Sequence, residues 1–128
     1  MLFRSIYAYV RYAKSQPALH KVMVQEASYP NPRLDWLIER HLKPLFDATI
    51  GLLVELQKLG VAPPGNPALL FNMIRLSSGG LLALGNELKA SSGLDVDSPE
   101  TLKAIAEMVI AVFLPGEMPD DWKQKSAA

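Results

Sequence analysis

The chain contains no cysteine, which removes disulfide scaffolds, thiolate metal centres and cysteine nucleophiles from consideration. It has two histidines, His20 and His41, too few for a histidine-rich metal cage. It has two threonines, and no segment alternates cleanly between polar and apolar residues, which argues for helix over strand. There is no excess of either charge. The 13 Lys+Arg balance 13 Asp+Glu, and the isoelectric point is about 6.7. This is neither the basic footprint of a nucleic-acid-binding surface nor the polybasic balance of a membrane-surface protein. No charge-free run reaches the roughly 18 residues that a spanning helix needs, and the longest, 59–74, is broken by Pro63, Pro64 and Pro67. Residues 1–14 carry Arg4 and Arg11 and lack the uninterrupted apolar stretch of a signal peptide. The expectation is a cytoplasmic protein with no membrane partner.

What is present is apolar and helical. The 128 residues, 14.1 kDa, are the size of one domain. The apolar fraction is 49% and the mean hydropathy +0.11, high for a small monomer, so either the core is large or a partner hides one surface. Leucine is the commonest residue. Gln16-Pro17, Asn31-Pro32, Asn66-Pro67 and Ser98-Pro99 each place proline at a first helical position, the last three behind a good capping residue. Gly60, Gly93 and Gly116 fall where C-terminal caps belong. These signals predict an all-α chain of about five helices at 2–15, 17–28, 32–59, 66–90 and 99–114, with a polar tail over 117–128.

The helix faces carry further information. In 2–15, Arg4, Arg11 and Ser15 mark the wet side, with Leu2, Ile6, Tyr9 and Ala13 opposite. In 32–59, Arg40, Lys43, Asp47 and Lys58 form the wet stripe, and Leu34, Ile38, Leu42, Leu45, Thr49, Leu52 and Leu56 the inner one. Pro44 lies inside this helix and should kink or break it near Arg40–His41. From Leu69 to Asn86 the only charge is Arg75, the composition of a helix buried on all sides. Ser77, Ser78, Gly79 and Gly80 fit either close approach of another helix or a local break. In 99–114, Glu100, Lys103 and Glu107 form a short wet stripe before a wholly apolar end. Two C-terminal helices of this kind predict a twofold four-helix bundle between two copies. Its interface residues would be Leu70, Met73, Ser77, Gly80, Leu81, Leu84, Leu88, Leu102, Ile105, Val109, Val112 and Phe113.

No constellation for catalysis stands out, and an enzyme is not expected. There is no HExxH, no GxSxG elbow and no GxxxxGK[ST] phosphate loop. Neither a metal nor a cofactor is predicted. Two charges on apolar faces leave alternatives open. Glu26 shares a stripe with Leu19, Val22 and Met23, and either anchors a ligand or reaches solvent at the helix end. Arg75 either anchors an acidic ligand or pairs with Glu26 or across a dimer.

Several segments together resemble the C-terminal domain of TetR-family transcriptional regulators. They are Tyr7-Ala8-Tyr9-Val10-Arg11-Tyr12-Ala13, Gln16-Pro17-Ala18-Leu19, Val22-Met23-Val24-Gln25-Glu26 and the Asn31-Pro32-Arg33 helix opening. Further on come Leu42-Lys43-Pro44-Leu45-Phe46, Leu56-Gln57-Lys58-Leu59-Gly60, Asn66-Pro67-Ala68-Leu69 and Phe113-Leu114-Pro115-Gly116. The likeness spans about residues 1–116 and lies in their order and spacing. It implies a homodimeric effector-binding domain whose first four helices enclose a pocket for a small apolar or aromatic molecule. Residues placed to line such a pocket are Tyr7, Tyr9, His20, Met23, Trp36, His41, Phe46, Thr49, Phe71, Asn72 and Arg75. Regulators of this family read DNA through an N-terminal helix-turn-helix, which the 128 residues do not contain, so DNA contact is expected only through such a segment. A free-standing helical interaction protein, pairing through 66–90 and 99–114 with a different partner, for example an intact regulator, is the other reading.

Overall fold

A computed structural model of the chain describes residues 2–15 and 32–117, and these are all-α. Helix α1 spans Leu2–Ser15. Helix α2, Pro32–Leu37, runs through a π-helical segment, Ile38–Leu42, into α3, Lys43–Lys58. Helix α4 spans Pro67–Ser77 and is followed by a 3-10 segment, Gly79–Leu84, and by α5, Gly85–Ser92. Helix α6 spans Pro99–Phe113 and ends in a 3-10 turn, Pro115–Glu117. The predicted helix at 17–28 and the tail beyond Glu117 lie outside the described residues.

The caps form where proline and its neighbour place them. Asn66 Oδ1 accepts the amides of Ala68 and Leu69 at 2.9 and 3.4 Å and opens α4. Ser98 Oγ accepts the Thr101 amide at 3.4 Å and opens α6. Gly93 closes α5 with φ +74°, a left-handed value that a β-carbon disfavours. Gly116 does not act as a cap of this kind. Its amide donates to the Val61 carbonyl at 3.2 Å, tying the end of α6 to the loop after α3.

Pro44 perturbs its helix where expected. It has no N–H for the Arg40 carbonyl, and the preceding turn widens into the π segment, with the Lys43 amide donating five residues back to Ile38.

The predicted continuous helix over 66–90 is corrected: the chain breaks it at Ser78. The Ser78 hydroxyl donates to the Ile74 carbonyl at 2.6 Å, and two glycines with little helix preference follow. The whole stretch Pro67–Ser92 is long and apolar enough to cross a membrane by length and composition. In this fold it is divided, with α4 packed on α3 and α6 and the 3-10 segment packed on α1.

The core lies between α1, α3, α4 and α6. It contains Val10, Leu53, Leu56, Leu70, Phe71, Ile74, Leu102, Ile105, Val109, Ile110 and Leu114. The wet stripes of α1, α3 and α6 are exposed as expected. The inner face of α3 differs: Leu45 and Leu52 are exposed, while Phe46 and Leu53 turn inward. Positions 42, 46, 49, 53 and 56 follow the 3.6-residue period more closely than a stripe through 45 and 52.

Candidate functional site

The described pocket candidates fall into three groups. The first is at the π segment. The ring of Trp36 meets that of His41 edge-on with centroids 5.8 Å apart, and the Arg40 guanidinium carbon lies 5.8 Å from the Trp36 ring. With Glu39 they border an open cleft of about 630 Å³. The widened turn brings these side chains together, because Trp36 and His41 are five residues apart.

The second group is in the core. Phe46 on α3 and Phe71 on α4 meet edge-on at 5.2 Å, with the Lys43 ammonium 5.1 Å from the Phe46 ring. Phe71 is buried and Phe46 half-buried. Thr49, one turn further along, bonds through its hydroxyl to the Leu45 carbonyl of its own helix.

The third group is polar and lies on α4, on the approach to the 3-10 segment that packs on α1. Ala68, Asn72 and Arg75 occupy one stripe of α4 that leads to Gly79. Asn72 Nδ2 donates to the Ala68 carbonyl at 2.9 Å, which fixes the side-chain amide. Its Oδ1 accepts from Arg75 Nε and Nη2 at 3.3 and 3.0 Å. Arg75 is half-buried, and among the described residues it is in no ion pair. Tyr9 reaches this group from α1 and lies against Gly79. Burial pushes the Tyr9 phenol above its ordinary value, and the Arg75 cation partly offsets the rise. Tyr7, also half-buried on α1, packs against the core with the Arg11 guanidinium 5.9 Å from its ring.

His20 and Met23 lie outside the described residues, as does Glu26. Among the described residues no three His, Asp or Glu side chains converge in a metal-ligating cluster.

The interface candidates divide sharply. Leu70, Leu102, Ile105 and Val109 are buried in the chain's own core, which corrects the expectation that they face a second copy. Leu81, Leu88 and Phe113 are half-buried against the same core, and Ser77 and Gly80 are half-buried as well. Met73, Leu84 and Val112 are exposed. Sequence reasoning missed Leu69, Leu76 and Met108, which are 60%, 51% and 68% exposed. Their spacing was the available signal: 69, 73 and 76 on α4, and 108 and 112 on α6, each line one helical face. Composition alone could not say which of two apolar stripes a single chain would bury.

Comparison of the chain with protein-family models, with curated proteins and with solved structures finds no match.

Proposed function

We propose that the chain is the effector-binding and dimerisation domain of a TetR-like transcriptional repressor, acting as a homodimer. One observation carries the proposal: α4 and α6, packed on each other, are apolar on two faces. On α4, Leu70, Phe71 and Ile74 are buried while Leu69, Met73 and Leu76 stay exposed. On α6, Leu102, Ile105, Ala106, Val109 and Ile110 are buried while Met108 and Val112 stay exposed. An inner face for the core and an outer apolar face for a twofold mate is what a four-helix contact between two copies requires.

The effector is a small apolar or aromatic molecule held between α1, α3 and α4. It regulates by binding one of two arrangements of the repressor more tightly than the other, which is the condition for any ligand to shift an equilibrium.

Light scattering over a dilution series tests the assembly. A mass of about 28 kDa that persists on dilution, twice the chain's 14.1 kDa, is expected. A stable 14.1 kDa monomer would transfer the outer faces of α4 and α6 to a different partner and favour the interaction-protein reading.

A further inference from the structure

We infer that Arg75 is the anchor for a carboxylate on the effector, which makes the effector an amphipathic anion with an aliphatic or aromatic body. This rests on the effector-binding reading and narrows it to a chemical class. Three observations lead to it. The first is the charge itself. Between Lys58 and Glu87 the chain has no other ionisable acid or base, yet it places a guanidinium half-buried on α4. Withdrawing a cation from water is unfavourable unless an anion or a set of acceptors receives it.

The second is that its hydrogen-bond partner is neutral. Asn72 Oδ1 takes Nε and Nη2, and Asn72 is itself held by the Ala68 carbonyl. The guanidinium is therefore oriented but its charge is not matched within the described residues. A planar fork held from one edge offers its remaining donors in a fixed direction, which suits a carboxylate.

The third is where the group lies. Helix α1 packs on α6 and the 3-10 segment, α3 packs on α4, and α1 and α3 make no extensive contact with each other. Arg75 and Asn72 lie on α4, the helix that carries Phe71 against Phe46, and Arg75 is near enough to Tyr9 of α1 for its charge to act on the phenol. An oriented cation on a helix whose neighbouring positions are apolar and aromatic fits a molecule with one acidic end and an apolar remainder.

Calorimetric titration of the intact chain with decanoate and 4-phenylbutyrate, each beside its primary amide, tests the inference. At least one acid should bind about tenfold or more tighter than its amide. Arg75→Gln should abolish that preference while leaving the mass in solution unchanged, and Arg75→Lys should restore part of it. Asn72→Ala should weaken the acid several-fold and leave the amide alone. Equal binding of acid and amide overturns the anchor and leaves the effector reading standing, as does an undiminished acid preference in Arg75→Gln. Failure of every probe together with a monomeric chain overturns both.

Discussion

The ring of Tyr9 fills the space that a side chain at position 79 would need. A β-carbon built on Gly79 would stand 2.8 Å from both Cε1 and the hydroxyl oxygen of Tyr9. The break in the helix after Ser77 and the seating of α1 are therefore one packing event: the glycine admits the ring, and the ring rests on the segment that the glycine begins.

This contact makes Gly79→Ala a destabilising change, although alanine is the better helix former. Crowding a packed site costs about 1–3 kcal/mol. Gly51, inside α3, has nothing within 4 Å of a built β-carbon. Gly51→Ala should stabilise the chain by about 0.5–1 kcal/mol. Urea denaturation of the two variants should move in opposite directions from the parent.

A more severe case is Gly116. There the nearest atom to a built β-carbon is the Val61 backbone Cα, at 2.7 Å, which has no rotamer with which to retreat. Gly116→Ala should push the end of α6 from the loop after α3 and open the amide bond to the Val61 carbonyl. Hydrogen exchange at residue 116 should rise in the variant.

Two neighbouring positions on α6 should respond differently to the same charge. Val109 is 4% exposed and Met108 is 68% exposed. Val109→Glu places an unpaired carboxylate in the core and should cost more than about 4 kcal/mol, leaving no folded chain to assay. Met108→Glu should leave the fold within about 0.5 kcal/mol of the parent and split the dimer. A Met108→Glu chain that is folded and still dimeric at the parent's affinity would exclude the outer face of α6 from the interface.

Alkaline pH should loosen the contact between α1 and the break. Burial raises the Tyr9 phenol above its ordinary 10.0, so the folded state prefers the neutral ring. That preference contributes fully below the unfolded value and is lost as pH rises through the folded one. Stability should therefore fall from about pH 9 upward, more steeply for the parent than for Tyr9→Phe. Denaturation at several pH values, beside absorbance at the phenolate band, checks the slope.

Much of the fold was legible because its signals are local. Proline behind asparagine or serine sets the starts of α4 and α6, and the widened turn before Pro44 follows from one missing N–H. What was not legible depends on distant contacts. Ser77, Ser78, Gly79 and Gly80 fit a close helix contact and a break equally well until Tyr9, some seventy residues earlier, is placed on Gly79. The same limit applies to the candidate site. Trp36 and His41 meet because of the widened turn, and Phe46 and Phe71 because α3 packs on α4. Arg75 was visible as a lone charge, but its alignment by Asn72 was not.

The π segment at Ile38–Leu42 acts as a phase shifter. In a regular helix each residue advances the side chain by about 100°, so five steps from Leu37 to Leu42 would carry them to different sides. With one residue absorbed in the wide turn, Leu37 and Leu42 come into step: Leu37 is buried, and Leu42 packs on the core with Phe46. Closing this wide turn into regular α-helix with all five residues kept would leave the helix continuous yet put everything before it out of phase with everything after. Helix α2 would then turn Leu37 towards water, and Trp36 and His41 would no longer meet across the cleft.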